Sequence, residues 1–238
     1  MLFRSGKTTL VHQSLFYNAS VNFKAIYMTT LSEPALKLLR YQSRFSYFNI
    51  DRFNDSVVYL DLAHLIREKG LNETLHQILH QVRKTQPGLV CIDSFKAIND
   101  LATDNKEVRK FGFDLALKLS AWECTTFLIG EYTEEEMRTE SIFAIADGVL
   151  ELTFEGNGAR RRRSLEVVKM RGSDFEIGKH YFEITTDGLR LFPNLESEHF
   201  ICENSVESVA DRVGLQVRGL DEACGGGIPR GTDRKSVV

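Results

Sequence analysis

Short apolar runs alternate along the chain with longer stretches in which apolar residues recur every three or four positions. The short runs have the character of buried strands, and the longer stretches have the spacing of helices with one buried face. Strands that alternate with helices predict an α/β fold with a mostly parallel sheet flanked by helices. Strands are predicted at residues 25–29, 56–60, 89–93, 125–131 and 148–152, and helices at residues 8–17, 34–40, 72–82 (with Asn72 as its cap) and 107–122.

The pattern changes at a glycine-rich turn, residues 155–158. Beyond it, apolar and polar positions alternate more openly at residues 164–169, 181–184 and 189–192. A period of two is typical of strands with one exposed face, and turn signals between such strands predict hairpins. We therefore expect C-terminal antiparallel hairpins that extend the parallel sheet.

The chain has 238 residues, 42% hydrophobic and 26% charged, which excludes a disordered tail, a collagen-like fibre and a coiled coil. Lysine and arginine number 30 against 33 acidic residues, and the net charge of -3 gives no global reason to expect a nucleic-acid or membrane-surface partner. No apolar run reaches the roughly 18 residues of a membrane span. The four cysteines are too widely spaced for a CxxC metal site, so a reduced, cytoplasmic protein is the simplest interpretation.

Gly6-Lys7-Thr8-Thr9, at the start of the first predicted helix, matches the second half of the phosphate-binding pattern G-x-x-x-x-G-K-[ST]. In that pattern glycine lets backbone N–H groups surround the phosphates, lysine reaches the β and γ oxygens, and the hydroxyl holds Mg²⁺. The helix N-terminus adds a partial positive charge. The first glycine of the pattern would fall at residue 1, which is methionine, so the half motif is a weak signal by itself.

Asp93 ends an apolar predicted strand and is followed by Ser94. A carboxylate at that end of a strand is typical of the Walker B acid, which orients the water around Mg²⁺. The alternative is an aspartate that caps the next helix, because Ser94 begins a polar stretch. Downstream of a glycine-lysine-threonine helix, Asp93 favours a nucleotide site.

Hydrolysis also requires a carboxylate that orients or deprotonates water. Glu33 follows the strand after the phosphate loop and is the first candidate. The alternative for Glu33 is an ordinary acid at a helix N-terminus, which the helix dipole favours. Glu131, at the end of a later predicted strand, is the second candidate.

Four consecutive arginines occupy residues 160–163, and Lys169 and Arg171 follow two positions apart. The arginine run is typical of a solvated turn, and it also suits a nucleic-acid backbone. Side chains two apart on a strand project to one face, so Lys169 and Arg171 suit a charge clamp on a phosphate, in their own subunit or in a neighbour. The alternative is a pair of edge-strand charges that discourage aggregation.

Together these features resemble the KaiC-type ATPases of the RecA-like P-loop superfamily. The resemblance rests on the element order, on the phosphate loop, on the strand ending at Asp93, on the arginine run with the Lys169-Met170-Arg171-Gly172 tail, and on the pattern of residues 219–227. It implies tandem RecA-like domains in a homohexameric ring, with ATP and Mg²⁺ bound between subunits. For a longer chain it leaves open serine/threonine autokinase activity, and it does not imply a clock role.

The resemblance also implies roles for single residues, matched by position. The phosphates would be bound by Ser5, Gly6, Lys7, Thr8 and Thr9, with Mg²⁺ at Thr8 and Asp93. Ser43 would lie near the nucleotide, and Thr185 near the base or ribose. The ATP of the adjacent subunit would be reached by Lys169, Met170, Arg171 and Ser173, with Lys169 and Arg171 at the γ-phosphate.

One position departs from the family pattern. Clock members of the family carry two adjacent glutamates where this chain has Leu31 and Ser32, and Glu33 stands one place later. Two other functions therefore stay open. A nucleotide-sensing scaffold would bind ATP and hydrolyse it poorly, and a RecA- or RadA-like ATPase would bring the arginine run to DNA, against which the net acidity counts.

The domain organisation follows from the same resemblance. Residues 6–193 are predicted to form the ATPase domain, 194–213 a linker, and 214–232 the start of a second domain of the same type. Residues 1–5 and 233–238 are interpreted as non-native flanks, because the latter match no strand or loop of the family pattern. Because the strand that should precede Gly6 would lie in the middle of the sheet, we expect exposed strand edges, poor solubility and weak ATP binding.

Overall fold

The computed structural model describes residues 5–30, 35–53, 55–102, 104–156, 161–194, 212–217, 219–229 and 235–237. Its helices are Lys7–Asn18 (α1), Ala35–Gln42 (α2), Ala63–Thr85 (α3), Ala97–Leu101 (α4), Asn105–Ser120 (α5), Glu134–Thr139 (α6), Ser141–Ile145 (α7) and Leu220–Ala223 (α8). Its strands are Ala25–Thr29 (β1), Val57–Asp61 (β2), Leu89–Asp93 (β3), Thr125–Ile129 (β4), Gly148–Glu155 (β5), Arg162–Met170 (β6), Lys179–Thr185 (β7), Gly188–Phe192 (β8), Arg212–Val213 (β9), Ile228–Pro229 (β10) and Lys235–Val237 (β11).

One large sheet organises the molecule, in the order β2-β1-β3-β4-β11-β5-β6-β7-β8. The pairs from β2 to β5 are parallel, and those from β5 to β8 are antiparallel. The predicted α/β class, with a parallel sheet and C-terminal antiparallel hairpins, is therefore confirmed.

The parallel strands β1, β3 and β4 are buried over nearly their whole length because both of their faces are covered. Alternate residues of β1 enter different cores: Tyr27 packs in a cluster with α1, and Met28 packs in a cluster with α3 and α5. The first cluster also contains Phe182 of β7 and Leu189 of β8. The antiparallel half of the sheet therefore shares a core with α1.

The start of α3 differs from the predicted one. The helix begins at Ala63, and Asn72 lies inside it rather than at its cap. Gly70 interrupts the helix with φ 74° and ψ 176°, a conformation that favours glycine. Ala63 and Ile66 precede this break and are buried. Gly70 therefore separates two helical segments, and the second begins one residue before Asn72, close to the predicted start.

Residues 212–217 lie against α1. Asn18 Nδ2 donates to the Gly214 carbonyl oxygen at 2.8 Å, and Ser14 Oγ donates to the Leu215 carbonyl oxygen at 3.2 Å. The Leu215 side chain is buried in the same cluster as the apolar face of α1. The part of 214–232 that is described thus packs on the ATPase sheet, and its assignment to a second domain stays a prediction.

The centre of the sheet contains β11, which runs parallel between β4 and β5. Lys235 pairs with Phe127 on one side and with Gly148 on the other. The interpretation of residues 233–238 as a non-native flank stays a prediction, whereas the expectation of open strand edges at this position is wrong, because Lys235–Val237 pairs with both neighbours. Without β11, the facing N–H and C=O groups of β4 and β5 would be unpaired, and β11 pairs with both strands.

None of the described helices is both long and apolar enough to cross a membrane. Cys91, Cys124 and Cys224 are buried thiols outside any disulfide. Cys202 lies outside the described residues.

Candidate functional site

The sequence motifs meet at the carboxyl edge of the parallel sheet. Thr29 and Asp93 end neighbouring strands in register, and Ile129 ends the next strand at the same level. Ser5 and Gly6 lead into α1, and a hydrogen bond between α1 and Asp93 brings the start of that helix to this edge. The topology therefore brings together residues that are far apart in the chain.

Gly6 is the N-cap of α1 and has φ 104°, which strains any residue with a side chain. A Cβ atom there would lie 3.1 Å from Ile184 Cδ1 and 3.3 Å from Phe182 Cε2. Glycine is thus required both for the backbone turn and for the close approach of β7.

Lys7 is 7% exposed, and its Nζ donates to Ser5 Oγ at 2.9 Å. Burial lowers the pKa of Lys7, while the negative charges of Glu131 and Asp93 act in the opposite direction. The two carboxylates favour the charged form of Lys7, and a buried ammonium group that stays charged is suited to bind an anion such as phosphate.

Thr8 Oγ1 donates to Asp93 Oδ2 at 2.7 Å, and Asp93 is 7% exposed. This contact joins the two motifs across 85 positions of the chain. A hydroxyl and a carboxylate are hard oxygen ligands of the kind that Mg²⁺ prefers, so the pair fits this ion. The alternative role of Asp93 as a helix cap does not match the structure, because α4 begins at Ala97 with Lys96 as its N-cap.

Thr30 supports the backbone that follows Asp93. Its hydroxyl accepts from Ser94 N at 3.0 Å and donates to the Ser94 carbonyl oxygen at 2.7 Å, and Thr30 N donates to the Asp93 carbonyl oxygen at 2.9 Å. These three bonds join the ends of β1 and β3 directly above the sheet edge.

The other residues that the sequence predicted for the site lie in several different places. Thr9 lies in the first turn of α1, and Glu33 lies outside the described residues. Ser43 is exposed just after α2 and donates to the Arg40 carbonyl oxygen at 3.1 Å. Thr185 donates to the Gly188 carbonyl oxygen at 3.2 Å, within the turn between β7 and β8.

Lys169 and Arg171 belong to a different cluster, next to the start of β5. Lys169 Nζ donates to the carbonyl oxygens of Phe143 and Ala144 at 3.0 and 3.2 Å. Arg171 Nη2 donates to the Ala144 carbonyl oxygen at 3.1 Å, and Nη1 pairs with Asp147 Oδ1 at 3.4 Å. These cations therefore contact the last residues of α7 and the segment that joins α7 to β5.

This second cluster is separated from Asp93 across the width of the sheet. Met170 is buried and pairs with Gly148, the first residue of β5, which runs parallel to β11 and β4. β5 lies three strand positions from β3, roughly 14 Å at the usual strand spacing. Ser173 Oγ is buried and has no hydrogen-bond partner among the described residues.

The described arginines of the predicted turn stack on aromatic rings of their own sheet. Arg163 lies 4.7 Å from the centroid of Phe154, and Arg162 lies 5.4 Å from that of Tyr181. Arg161 also lies over Phe154, whereas Arg160 is outside the described residues. Cation–π contacts of this kind stabilise the hairpin face.

Sequence reasoning missed Tyr27, whose hydroxyl donates to Asp93 Oδ2 at 2.8 Å. The available signal was a phenol in an otherwise aliphatic strand. Only the pairing of β1 with β3 brings it to the carboxylate, with Tyr27 opposite Cys91.

The strand order, the glycine-lysine-threonine turn and the acid at the sheet edge define a RecA-like P-loop domain. The family model described as "ATPase: KaiC" matches residues 4–196. The chain belongs to this family of ATP-binding domains.

Individual relatives agree with that assignment. Circadian clock oscillator protein KaiC 1 of Synechocystis sp. is 32% identical over 163 residues, which cover 66% of this chain and 30% of the relative. Circadian clock oscillator protein KaiC of Parathermosynechococcus lividus is 29% identical over 240 residues, which cover 94% of this chain and 42% of the relative. The chain thus spans less than half the length of these two relatives.

Among solved structures, a KaiC-like protein of the hyperthermophilic archaeon Pyrococcus horikoshii OT3 has a similar fold. Its TM-score is 0.68 at 22% identity, and the match covers 80% of this chain and 85% of that one. At this identity the similarity concerns the fold alone.

Proposed function

We propose that this chain binds ATP together with Mg²⁺ and hydrolyses the γ-phosphate bond. The observation that carries the proposal is the 2.7 Å hydrogen bond from Thr8 Oγ1 to Asp93 Oδ2, next to the buried Lys7. Thr8 and Asp93 would hold Mg²⁺, which neutralises charge on phosphate oxygens. Gly6 and Lys7 would bind the phosphates at the N-terminus of α1, where backbone N–H groups need acceptors.

Of the two candidates for the acid that activates water, Glu131 is the one among the described residues. It follows β4 at the carboxyl edge, and its charge acts on Lys7. Glu33, the first candidate in the sequence, lies outside the described residues and stays the other candidate. If one of these glutamates is the base, its change to glutamine should lower phosphate release and leave ATP affinity within about threefold. If the Glu131→Gln variant releases phosphate like the unchanged protein, Glu131 is not the base.

The test of the proposal is equilibrium binding of a fluorescent ATP analogue, combined with phosphate release. Lys7→Ala should weaken binding by roughly 10- to 100-fold, because hydrogen bonds to charged groups contribute about 1.5–3 kcal/mol. Lys110→Ala is the matched control, since Lys110 is exposed on α5. If the Lys7→Ala and Lys110→Ala variants bind the ATP analogue equally strongly, the result contradicts a phosphate site at Gly6–Thr9.

Ring assembly belongs to the same proposal. Lys169 and Arg171 lie beside the start of β5, three strand positions from the strand that ends at Asp93, and this separation favours action on the ATP of a neighbouring subunit in a homohexamer. Met170 and Ser173 would form the surface beside them, and Ser43 and Thr185 would approach the nucleotide. Sedimentation with and without ATP tests assembly; a monomer under both conditions would rule out a ring for this chain.

Two further activities are distinguished by the same preparations. Serine/threonine autophosphorylation of a longer parent would appear as labelled phosphate in the protein. Tight ATP binding without phosphate release would favour a nucleotide-sensing scaffold, for which Leu31 and Ser32 are the motivation.

A further inference from the structure

We infer that Tyr27 is a positioning residue for the carboxylate that would hold Mg²⁺. Its hydroxyl donates to Asp93 Oδ2 at 2.8 Å, and the same oxygen accepts from Thr8 Oγ1 at 2.7 Å. Thr8 belongs to the proposed metal-binding pair, whereas Tyr27 is outside it. The inference rests on the proposed nucleotide function and deepens it.

The phenol is placed to reach Asp93 by the strand register. Tyr27 is opposite Cys91, and Asp93 is the next residue of β3 on the same face, roughly 7 Å further along. A phenylalanine at this position would extend toward the carboxylate without a donor at its tip. The hydroxyl therefore provides a hydrogen bond that a purely apolar strand lacks.

Neighbouring rings hold Tyr27 in one orientation. Its ring centroid lies 4.3 Å from that of His12 and 5.2 Å from that of Tyr59, and Tyr27 is 2% exposed. A donor that is fixed in this way restricts rotation of the Asp93 carboxylate. Partners that orient metal ligands typically change metal affinity by 10- to 100-fold when they are removed.

Tyr59 is a matched comparison within the same cluster. It lies opposite Tyr27 on β2, and its buried hydroxyl has no hydrogen-bond partner among the described residues. Tyr59→Phe removes the same atom from the same environment without affecting Asp93. A role that depends only on packing would make the two changes equivalent.

The experiment measures binding of a fluorescent ATP analogue to the full chain in EDTA and along a Mg²⁺ titration. We expect Tyr27→Phe to bind in EDTA like the unchanged protein and to need roughly tenfold more Mg²⁺ for half of the metal-dependent change. Tyr59→Phe should match the unchanged protein under both conditions. Thermal unfolding without nucleotide checks that each variant is folded.

A second test makes the Tyr27→Phe change in an Asp93→Asn protein, so that the inference does not depend on the folding of the single variant. Asp93→Asn removes the charge that Tyr27 orients, so Tyr27→Phe in that background should change the Mg²⁺ requirement no further. If Tyr27→Phe raises the Mg²⁺ requirement equally in the Asp93→Asn background, the inference is overturned. It is also overturned if Tyr27→Phe and Tyr59→Phe have the same Mg²⁺ requirement while Asp93→Asn has a different one. If the unchanged protein, Lys7→Ala and Asp93→Asn all bind equally and without Mg²⁺ dependence, the proposed function fails and the inference fails with it.

Discussion

Two cationic clusters, one at the end of β3 and one beside the start of β5, differ in how they are held. Lys7 is 7% exposed and donates to a hydroxyl, with two carboxylates nearby. The Arg171 side chain is 53% exposed and donates to a carbonyl oxygen and to Asp147. The first cluster is built into the core, and the second lies on the surface.

This difference matters for what each cation can do. A buried cation has a nearly fixed position, so it suits a ligand that always enters the same pocket. An exposed ion pair contributes little to stability and exchanges partners at small cost. The Arg171 arrangement therefore suits a contact that forms only when another subunit is present, and Lys7 suits binding within its own subunit.

The largest expected effect concerns the support of the buried cluster. Leu215 is 1% exposed and packs in the cluster that contains α1, which carries Lys7 and Thr8. Leu215→Ala should lower the free energy of unfolding by about 2–5 kcal/mol, measured by urea denaturation of the full chain. Val21→Ala, at an 81% exposed position, should stay within about 0.5 kcal/mol. Equal stability of both variants would contradict the packing of residues 212–217 on α1.

The next effect is a pH dependence of stability from His12. Burial lowers the pKa of His12 to about 4, with partial opposition from its hydrogen bond to the Thr8 carbonyl oxygen. The unfolded chain, with a pKa near 6.5, binds more protons between these values, so stability should fall by roughly 3 kcal/mol as pH drops from about 6.5 to about 4. Urea denaturation at several pH values measures this slope. His12→Leu should flatten it, and parallel slopes for the two proteins would show that His12 does not cause it.

The smallest expected effect on stability belongs to the exposed cluster. Arg171→Ala should change the free energy of unfolding by less than about 1 kcal/mol, because its ion pair is solvent-exposed. Under the proposed function it should nevertheless lower phosphate release, as should Lys169→Ala. Arg190→Ala, an exposed arginine over Phe192, is the matched control for both measurements.

Mixing sharpens the comparison between the clusters. Lys7→Ala and Arg171→Ala proteins, each inactive alone, should recover part of the phosphate release when combined, because one interface then has both groups intact. No recovery on mixing would remove the support for action between subunits.

Much of the fold was predictable from local pattern. The periodicity located β1 and β3 at their observed bounds, and in α3 it found the segment after Gly70 and missed the one before it. In the site, the pairing of the phosphate loop with Asp93 was predicted from two motifs. The contact of Tyr27 with Asp93 was not, because nothing in the spacing of the two residues indicates which strands are neighbours.

The sequence by itself determined the alternation of strands and helices and the chemistry of the glycine-lysine-threonine turn, because both depend on residues close together in the chain. Only the tertiary structure decided that β11 lies between β4 and β5 and that residues 214–216 accept hydrogen bonds from α1. It also decided that Lys169 and Arg171 lie beside the start of β5, three strand positions from the strand that ends at Asp93. These arrangements join distant segments, and they depend on which backbone groups and apolar faces remain to be satisfied once the local elements have formed.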